Sequence, residues 1–522
     1  MCGGLKLPKK TPIKNINDTR VPQTGFQMPP DWEVVERYPL NPPFAFAVIA
    51  KNPFTAEMIY FVDEIPLSKK EAALYSQLLT ILELETMLPR GKVQPEDFFK
   101  ETTKGIMERY DIVIPQISMA KIQYYVKRDF VGFGVIDALM FDPNIEDVSC
   151  DGVKVPLFVY HRKHESLATN ILFETDEPLD NMTTRLAHLC GKHISSAFPV
   201  AQGVLPGNHR LMATYRHEIS KNGSTFVIRK HSEDPITVVD LVRSNTLTTK
   251  MAAYLWYIME HKSTAIVAGT TGSGKTTMLN VLLSLLPLYY KVVTIEEVQE
   301  LNVAQPNWTA LITRENYGVT GEGTSEVGIF DLIKSSMRMR PDILVVGEVR
   351  GEEAYALFQG IVTGHAGAFT IHADDALAAI QRLTTKPLAV PESFVPFVDV
   401  ILTVRRVGIP TPRGVRYERR VYELVEVEAM GTYTRMFGWD PKTDIYSSEL
   451  LSKSAKLNKF AKEMGITLAD AVLEVGRREV VMKWLSIANI RDFKTVAKIL
   501  QNYRETPDII YEKAKKEVGY NE

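Results

Sequence analysis

The chain has 522 residues, a length beyond which one hydrophobic core stops growing, so about two to four domains are expected. Hydrophobic residues make up 45% and charged residues 24%, an ordinary globular composition, and no apolar run reaches the roughly 18 residues that a membrane span needs. A formal net charge of −2 excludes a surface built as a whole for nucleic acid, though not a local basic groove.

Residues 1–30 hold Gly, Pro, Asn and Lys without periodicity and are expected as a flexible tail, with Lys6, Lys9, Lys10 and Lys14 as a solvated basic arm. No apolar h-region opens the sequence, so no secretory signal is expected. Cys2, Cys150 and Cys190 make no CxxC pair, which suits a reducing, cytoplasmic compartment without disulfides or structural zinc. Residues 31–120 combine the strand-like runs FAFAVIA and MIYFVDE with the helical SKKEAALYSQLLTILELETML, and read as a small N-terminal module. Residues 121–235 mix the helical KIQYYVKRDFVGFGVIDALM with the strand-like VPLFVYHR, HRLMATYR and STFVIRK, as an α+β N-terminal domain does. Residues 236–245 read as a linker.

From 246 to 445 the short apolar runs TAIVAG, KVVTIEE, ILVVGE and GAFTIHA alternate with helical stretches, the pattern of a mostly parallel α/β sheet. Residues 446–522 are amphipathic and helical, with Asp492 as an N-cap before a face of Phe493, Val496, Ala497 and Leu500, and read as a docking appendage.

One motif carries the chemistry. The stretch GTTGSGKT, Gly269 to Thr276, fits the phosphate-loop pattern GxxxxGK[ST] between the strand TAIVAG and the helical TTMLNVLLSLL, the context that the motif demands. Gly269, Thr270, Thr271, Gly272, Ser273 and Gly274 offer backbone N–H groups to phosphate oxygens. Lys275 reaches the outer phosphates, Thr276 can ligate Mg²⁺, and Thr277 extends the helix N-terminus.

Three further stretches follow in order: VVTIEEVQEL at 292–301, RMRPDILVVGEVRGEE at 338–353 and TGHAGAFTIHA at 363–373. Together with the phosphate loop, this set resembles the type II/type IV secretion ATPases, whose acidic box, Walker B motif and histidine box stand in that order. DPNIEDVSCDGVKVPLFVYHRKHES upstream is similar to the archaeal branch, the pilus and archaellum motors. The resemblance implies a RecA-like ATPase domain behind the α+β domain. It makes Glu348, at the end of the Walker B strand, a magnesium carboxylate acting through the ion's water shell. Glu296 becomes the group that orients the attacking water, with Glu297, Glu300 and Glu348 as alternatives. It also implies a γ-phosphate contact for His372 and His365, against the alternative of two structural histidines. A trans-acting cation is implied from Arg210, Arg229 or Arg216, with Arg338, Arg340 and Arg350 as the other choices.

The implied function is an ATP- and Mg²⁺-dependent homohexameric motor. It would be cytoplasmic and peripheral at the inner face of the membrane, driving assembly or rotation of a type IV pilus-like filament through a polytopic platform protein, without nucleic acid. Two other functions stand beside it. One is a DNA-transfer ATPase of the conjugation or competence type, disfavoured by a lack of basic-aromatic interleaving. The other is a nucleotide-switched scaffold without turnover, which intact Lys275, Thr276 and carboxylates disfavour.

Overall fold

A computed structural model describes residues 31–85, 115–231, 235–314, 327–411, 414–447 and 451–519. The tail expected over 1–30, with Cys2, lies outside these residues. The chain divides into two compact units, Met1–Ser232 and Glu233–Glu522.

The first unit is built on a nine-stranded sheet of β1 (Glu33–Asn41), β2 (Ala45–Lys51), β3 (Met58–Glu64), β4 (Ile145–Cys150), β5 (Pro156–His161), β6 (Glu165–Leu172), β7 (Val200–Leu205), β8 (His209–Thr214) and β9 (Thr225–Arg229). Its order is β1-β2-β3-β6-β5-β4-β9-β8-β7. The segment 31–120 is therefore not a module apart. β3 pairs in parallel with β6 through Ile59–Ala168 and Tyr60–Thr169, and Ala47, Ile49 and Tyr60 share one core with Ile122, Leu139, Val148 and Ile228. The helix expected through 121–140 is broken. The α-helix Gln116–Val126 runs on as a π-helical turn to Val131, breaks at Gly132 and Phe133, and regains α geometry at Asp137–Phe141 after a 3-10 turn that starts at Gly134, whose φ is +63°.

The second unit has a sheet of β10 (Ala265–Ala268), β11 (Val292–Glu296), β12 (Trp308–Ile312), β13 (Ile343–Val346), β14 (Ala366–Ile371), β15 (Val400–Thr411), β16 (Gly414–Ala429), β17 (Thr432–Asp440) and β18 (Ile445–Ser447). The order is β12-β11-β13-β14-β10-β15-β16-β17-β18. It is parallel from β12 to β15 and antiparallel beyond. The α/β reading of this region holds. β10, β13 and β14 are buried on both faces, so their sequences run apolar without alternation. Successive residues feed different cores: Ala265, Val267, Ile343 and Val345 face one, Ile266, Ala268, Leu344 and Val346 the other.

Two stretches differ from their sequence reading. The linker of 236–245 contains the helix Val238–Arg243, started by a capping box in which Thr237 and Asp240 serve each other's backbone N–H. Val238 and Val239 lie in the core of the second unit, so this segment is part of the fold. The 446–522 region opens on β18 and becomes helical at Ala455–Met464, Leu468–Ile487, Phe493–Glu505 and Pro507–Val518. Asp492 caps Phe493–Glu505 as expected, its side chain accepting from the Thr495 N–H. These helices are no appendage, because Phe460, Val475, Trp484, Val496 and Leu500 belong to the same core as Trp256 and Leu282. Each fully buried apolar side chain there contributes about 1.5–3 kcal/mol.

Buried charge ties the same helices down. Glu260 accepts from Arg478 and Arg504, both at 2.9 Å, and Arg504 also donates to the Leu285 carbonyl behind the helix Lys275–Ser284. No helix among the described residues is long and apolar enough to cross a membrane.

Candidate nucleotide-binding site

β10 ends at Ala268 and the helix Lys275–Ser284 begins seven residues later, leaving the six residues 269–274 to turn the chain tightly. Glycine is obligatory at two points. Gly274, the N-cap, sits at φ +96° and Gly272 at +74°. At Gly269 a Cβ would stand 2.5 Å from the Val404 carbonyl oxygen and 2.4 Å from Ser273 Oγ. The loop fits phosphate on this structure's own terms. Nothing lies within 4 Å of where a Gly272 Cβ would be, Ser273 Oγ is buried without a hydrogen-bond partner, and the cradle opens at a helix N-terminus. Thr276 and Thr277 occupy the first helical turn, half-buried.

Lys275 Nζ donates to the Thr270 carbonyl at 3.0 Å. Burial lowers its ammonium below the ordinary lysine range, opposed by the charge of Glu348 and reinforced by that of Arg350. Glu348 follows β13, and its Oε2 accepts from Arg350 Nη2 at 2.7 Å. Arg350 Nη1 stands 3.6 Å from Glu297 Oε2, beyond the end of β11. Arg350 thus pairs with acids of the site rather than reaching elsewhere.

Glu296 is placed differently from its neighbour. It is 4% exposed, and its Oε1 accepts from the backbone N–H groups of Glu300 at 2.9 Å and Leu301 at 3.1 Å. Asn280 Oδ1, from the phosphate-loop helix, accepts from the Asn302 N–H at 2.8 Å. The acidic turn is therefore closed from both ends, with Glu296 inside it and Glu297 on its exposed side.

His372, just past β14, brings Nε2 within 3.0 Å of Thr271 Oγ1, so it reaches the phosphate loop. Its carbonyl accepts from Arg382 Nη1 at 2.9 Å, and Arg405 grips the Asp374 carbonyl at 2.7 and 3.0 Å. His365 lies before the same strand. Six residues at about 3.3 Å each put it at the far end, where Nδ1 meets the Pro341 carbonyl at 3.1 Å. The structure thus separates the two histidines.

Arg210 and Arg229 belong to the first unit, directly opposite each other on β8 and β9, and Arg229 Nε donates to Asp147 Oδ1 at 3.0 Å. Arg216 Nε donates to Asp180 at 2.8 Å. Arg338 and Arg340 are exposed before β13.

Three residues at the site carry no motif signal. Arg382, Arg405 and Arg419 come from strands and helices where basic residues alternate with apolar ones as on any amphipathic element. Arg419, on β16, directs Nε to the Gly272 carbonyl at 3.4 Å, and its Cδ lies 3.0 Å from where a Gly274 Cβ would stand. Basic-aromatic interleaving, which the sequence reading did not find, is also present here. Arg405 stacks 3.6 Å over Tyr422 and Arg406 4.8 Å over Tyr417.

Residues 149–404 match the model of the type II/IV secretion system protein family, and residues 17–64 match a PilB3-like N-terminal model. The chain is 32% identical to MJ0900 of Methanocaldococcus jannaschii over 451 residues, 85% of this chain and 79% of that protein. It is 28% identical to the type IV secretion system protein VirB11 of Bartonella henselae over 264 residues, 41% of this chain and 72% of that one. The crystal structure of the Legionella pneumophila ATPase DotB aligns with 63% of this chain and 91% of its own at 17% identity, with a TM-score of 0.41 that carries no functional weight. The family match, the near full-length relative and the phosphate loop agree: the chain belongs to the type II/type IV secretion ATPase family.

Proposed function

We propose that the chain binds and hydrolyses ATP with Mg²⁺, as the subunit of a homohexameric motor that assembles or rotates a type IV pilus-like filament. The observation that carries the reading is the convergence of Lys275, Glu348 and His372 on one loop whose glycines and buried Ser273 fit phosphate. Bound magnesium would neutralise charge on the phosphates and hold the leaving group. Thr276 and Glu348 are the residues to hold it, Glu348 through the ion's waters.

The chain's own groups do the rest. Lys275 neutralises the outer phosphates, and its reduced proton affinity reflects a partly dry site. Glu296 is the residue proposed to orient the attacking water. Its Oε1 accepts from the Glu300 and Leu301 N–H groups, which fix the carboxylate in the turn, and Glu348 is the competing base. His372 links the loop to β14 and is placed to report on the γ-phosphate. Arg210 and Arg229 are the proposed trans-acting cations, a role that needs a neighbouring subunit.

Lacking among its described helices any that could span a membrane, the chain would act on a bilayer through a polytopic platform protein at its inner face. The test is steady-state ATP hydrolysis by the full chain alone, with vesicles carrying the platform protein, and with single-stranded DNA. Stimulation by the platform vesicles alone is the expected result. Stimulation by DNA alone would replace the filament motor with a DNA-transfer ATPase.

A further inference from the structure

The phosphate-loop strand β10 lies between β14 and β15, so the loop has two flanks. On the β14 flank stand His372 and, one strand further, Glu348, the groups suited to the outer phosphates. A nucleotide with its terminal phosphate on that flank must carry its inner phosphate, sugar and base toward the other, where β15 and β16 run. β15 supplies the Val404 carbonyl against Gly269, and β16 supplies Arg419 against Gly272 and Gly274.

Arg419 does not stand there alone. It lies directly opposite Arg406 in the β15–β16 register, and one alternation further Tyr417 lies opposite Gly408, which leaves the tyrosine ring room. All three residues are exposed and share one face of the two strands. The Arg406 guanidinium already stacks 4.8 Å from the Tyr417 ring centre, making a flat cationic and aromatic shelf of the kind on which a base stacks.

We propose that β15 and β16 hold the nucleoside half of the nucleotide: Arg419 contacts the inner phosphate, and the stacked Arg406–Tyr417 pair forms the shelf for the base. This rests on the nucleotide-binding reading above and adds the residues that distinguish a nucleoside diphosphate from bare pyrophosphate.

The test is calorimetric binding of ADP and of pyrophosphate to the full chain, in wild type and in Arg419→Ala, Arg419→Lys, Tyr417→Ala and Lys275→Ala. Arg419→Ala is expected to weaken ADP about 10- to 100-fold, the range for a hydrogen bond to a charged group. Tyr417→Ala is expected to weaken ADP about 5- to 100-fold through lost stacking while pyrophosphate stays within about twofold of wild type. Arg419→Lys, which keeps the stem packed on Gly274, should fall between wild type and alanine and guards against misfolding of the alanine variant. ADP affinity that is unchanged in Arg419→Ala and Tyr417→Ala, or that falls in parallel with pyrophosphate in both, would overturn the proposal. Loss of both ligands in Lys275→Ala upholds the nucleotide reading whatever Arg419 does, and a wild type that binds neither ligand overturns both readings together.

Discussion

Arg350 joins two carboxylates from different strands: its Nη2 donates to Glu348 Oε2 at 2.7 Å while its Nη1 stands 3.6 Å from Glu297 Oε2. One guanidinium therefore neutralises negative charge at the ends of β13 and β11, on the flank where magnesium would be held. Half-exposed ion pairs contribute under about 1 kcal/mol to folding, so the effect of Arg350→Ala should fall on the site rather than on stability. With the cation gone, the Mg²⁺ concentration for half-maximal nucleotide binding is predicted to drop about three- to tenfold, and Glu348→Gln is predicted to raise it. A magnesium titration followed by calorimetry decides this. An unchanged midpoint in both variants contradicts the placement of the ion beside Glu348.

Glu296→Gln separates turn closure from chemistry. Gln keeps an acceptor for the N–H groups of Glu300 and Leu301, so folding is expected to change by less than about 1 kcal/mol. The variant should bind ATP like wild type and hydrolyse it about 10²–10⁴ times more slowly, the range for loss of a positioned base. If Glu296→Gln turns over normally and Glu348→Gln does not, the base is Glu348.

Gly269→Ala probes the loop from beneath. The added methyl meets the Val404 carbonyl at 2.5 Å, a backbone atom that cannot rotate away. Overpacking of about 1–3 kcal/mol would displace the loop, and ATP affinity should fall about tenfold or more. Wild-type affinity in this variant would show that the loop is looser than the structure has it.

Glu426 tests what holds the C-terminal helices to the second unit. Its carboxylate is fully buried on β16. It accepts from Tyr254 and Ser454 hydroxyls and from the N–H groups of Ala455 at 2.9 Å and Lys456 at 3.2 Å, at the start of a helix. Glu426→Ala strands four donors without an acceptor and should destabilise the second unit by about 3–5 kcal/mol in chemical denaturation. A loss below about 1 kcal/mol would mean that this helix docks without the carboxylate.

Asp137 gives a pH dependence in the first unit. Burial pushes its carboxyl up to about 6, against the Phe133 N–H that it accepts at 2.7 Å. Its value in the unfolded chain is about 3.9, so the folded state holds the proton more tightly. The contribution is fully present below about pH 4 and is lost as pH rises through about 6. Asp137→Asn keeps the Oδ1 acceptor and should flatten stability between pH 4 and 6, with a gain of about 2–3 kcal/mol at pH 7. The same slope in variant and wild type would assign that pH dependence to another group.

Much of the second unit was legible because β10, β13 and β14 are buried on both faces, which writes them as unbroken apolar runs between helices. The phosphate-loop pattern was legible because glycine spacing leaves a local signature, whereas Glu348 and His372 were singled out by the family resemblance, and both lie beside the loop. What was not legible depends on contacts distant in sequence. β1, Glu33–Asn41, is an irregular edge strand whose polar sequence shows no clean alternation, and its partners are known only once the sheet is formed. The helix Val238–Arg243 looked like a linker because a six-residue helix is too short to show a period, although its Thr237–Asp240 capping box can be read in hindsight. Arg419 stands 147 residues from its partner Gly272, and nothing in the alternating sequence of β16 sets it apart from neighbouring arginines.

The most direct measurement is Mg²⁺-dependent ATP hydrolysis by the full chain and by Lys275→Ala, each with vesicles carrying the platform protein. Wild type is predicted to turn over ATP only with magnesium, and Lys275→Ala to lose nearly all of it. Equal turnover in the two proteins would contradict hydrolysis at the phosphate loop, and no turnover in wild type despite tight ATP binding would contradict the motor reading and leave a nucleotide-switched scaffold in its place.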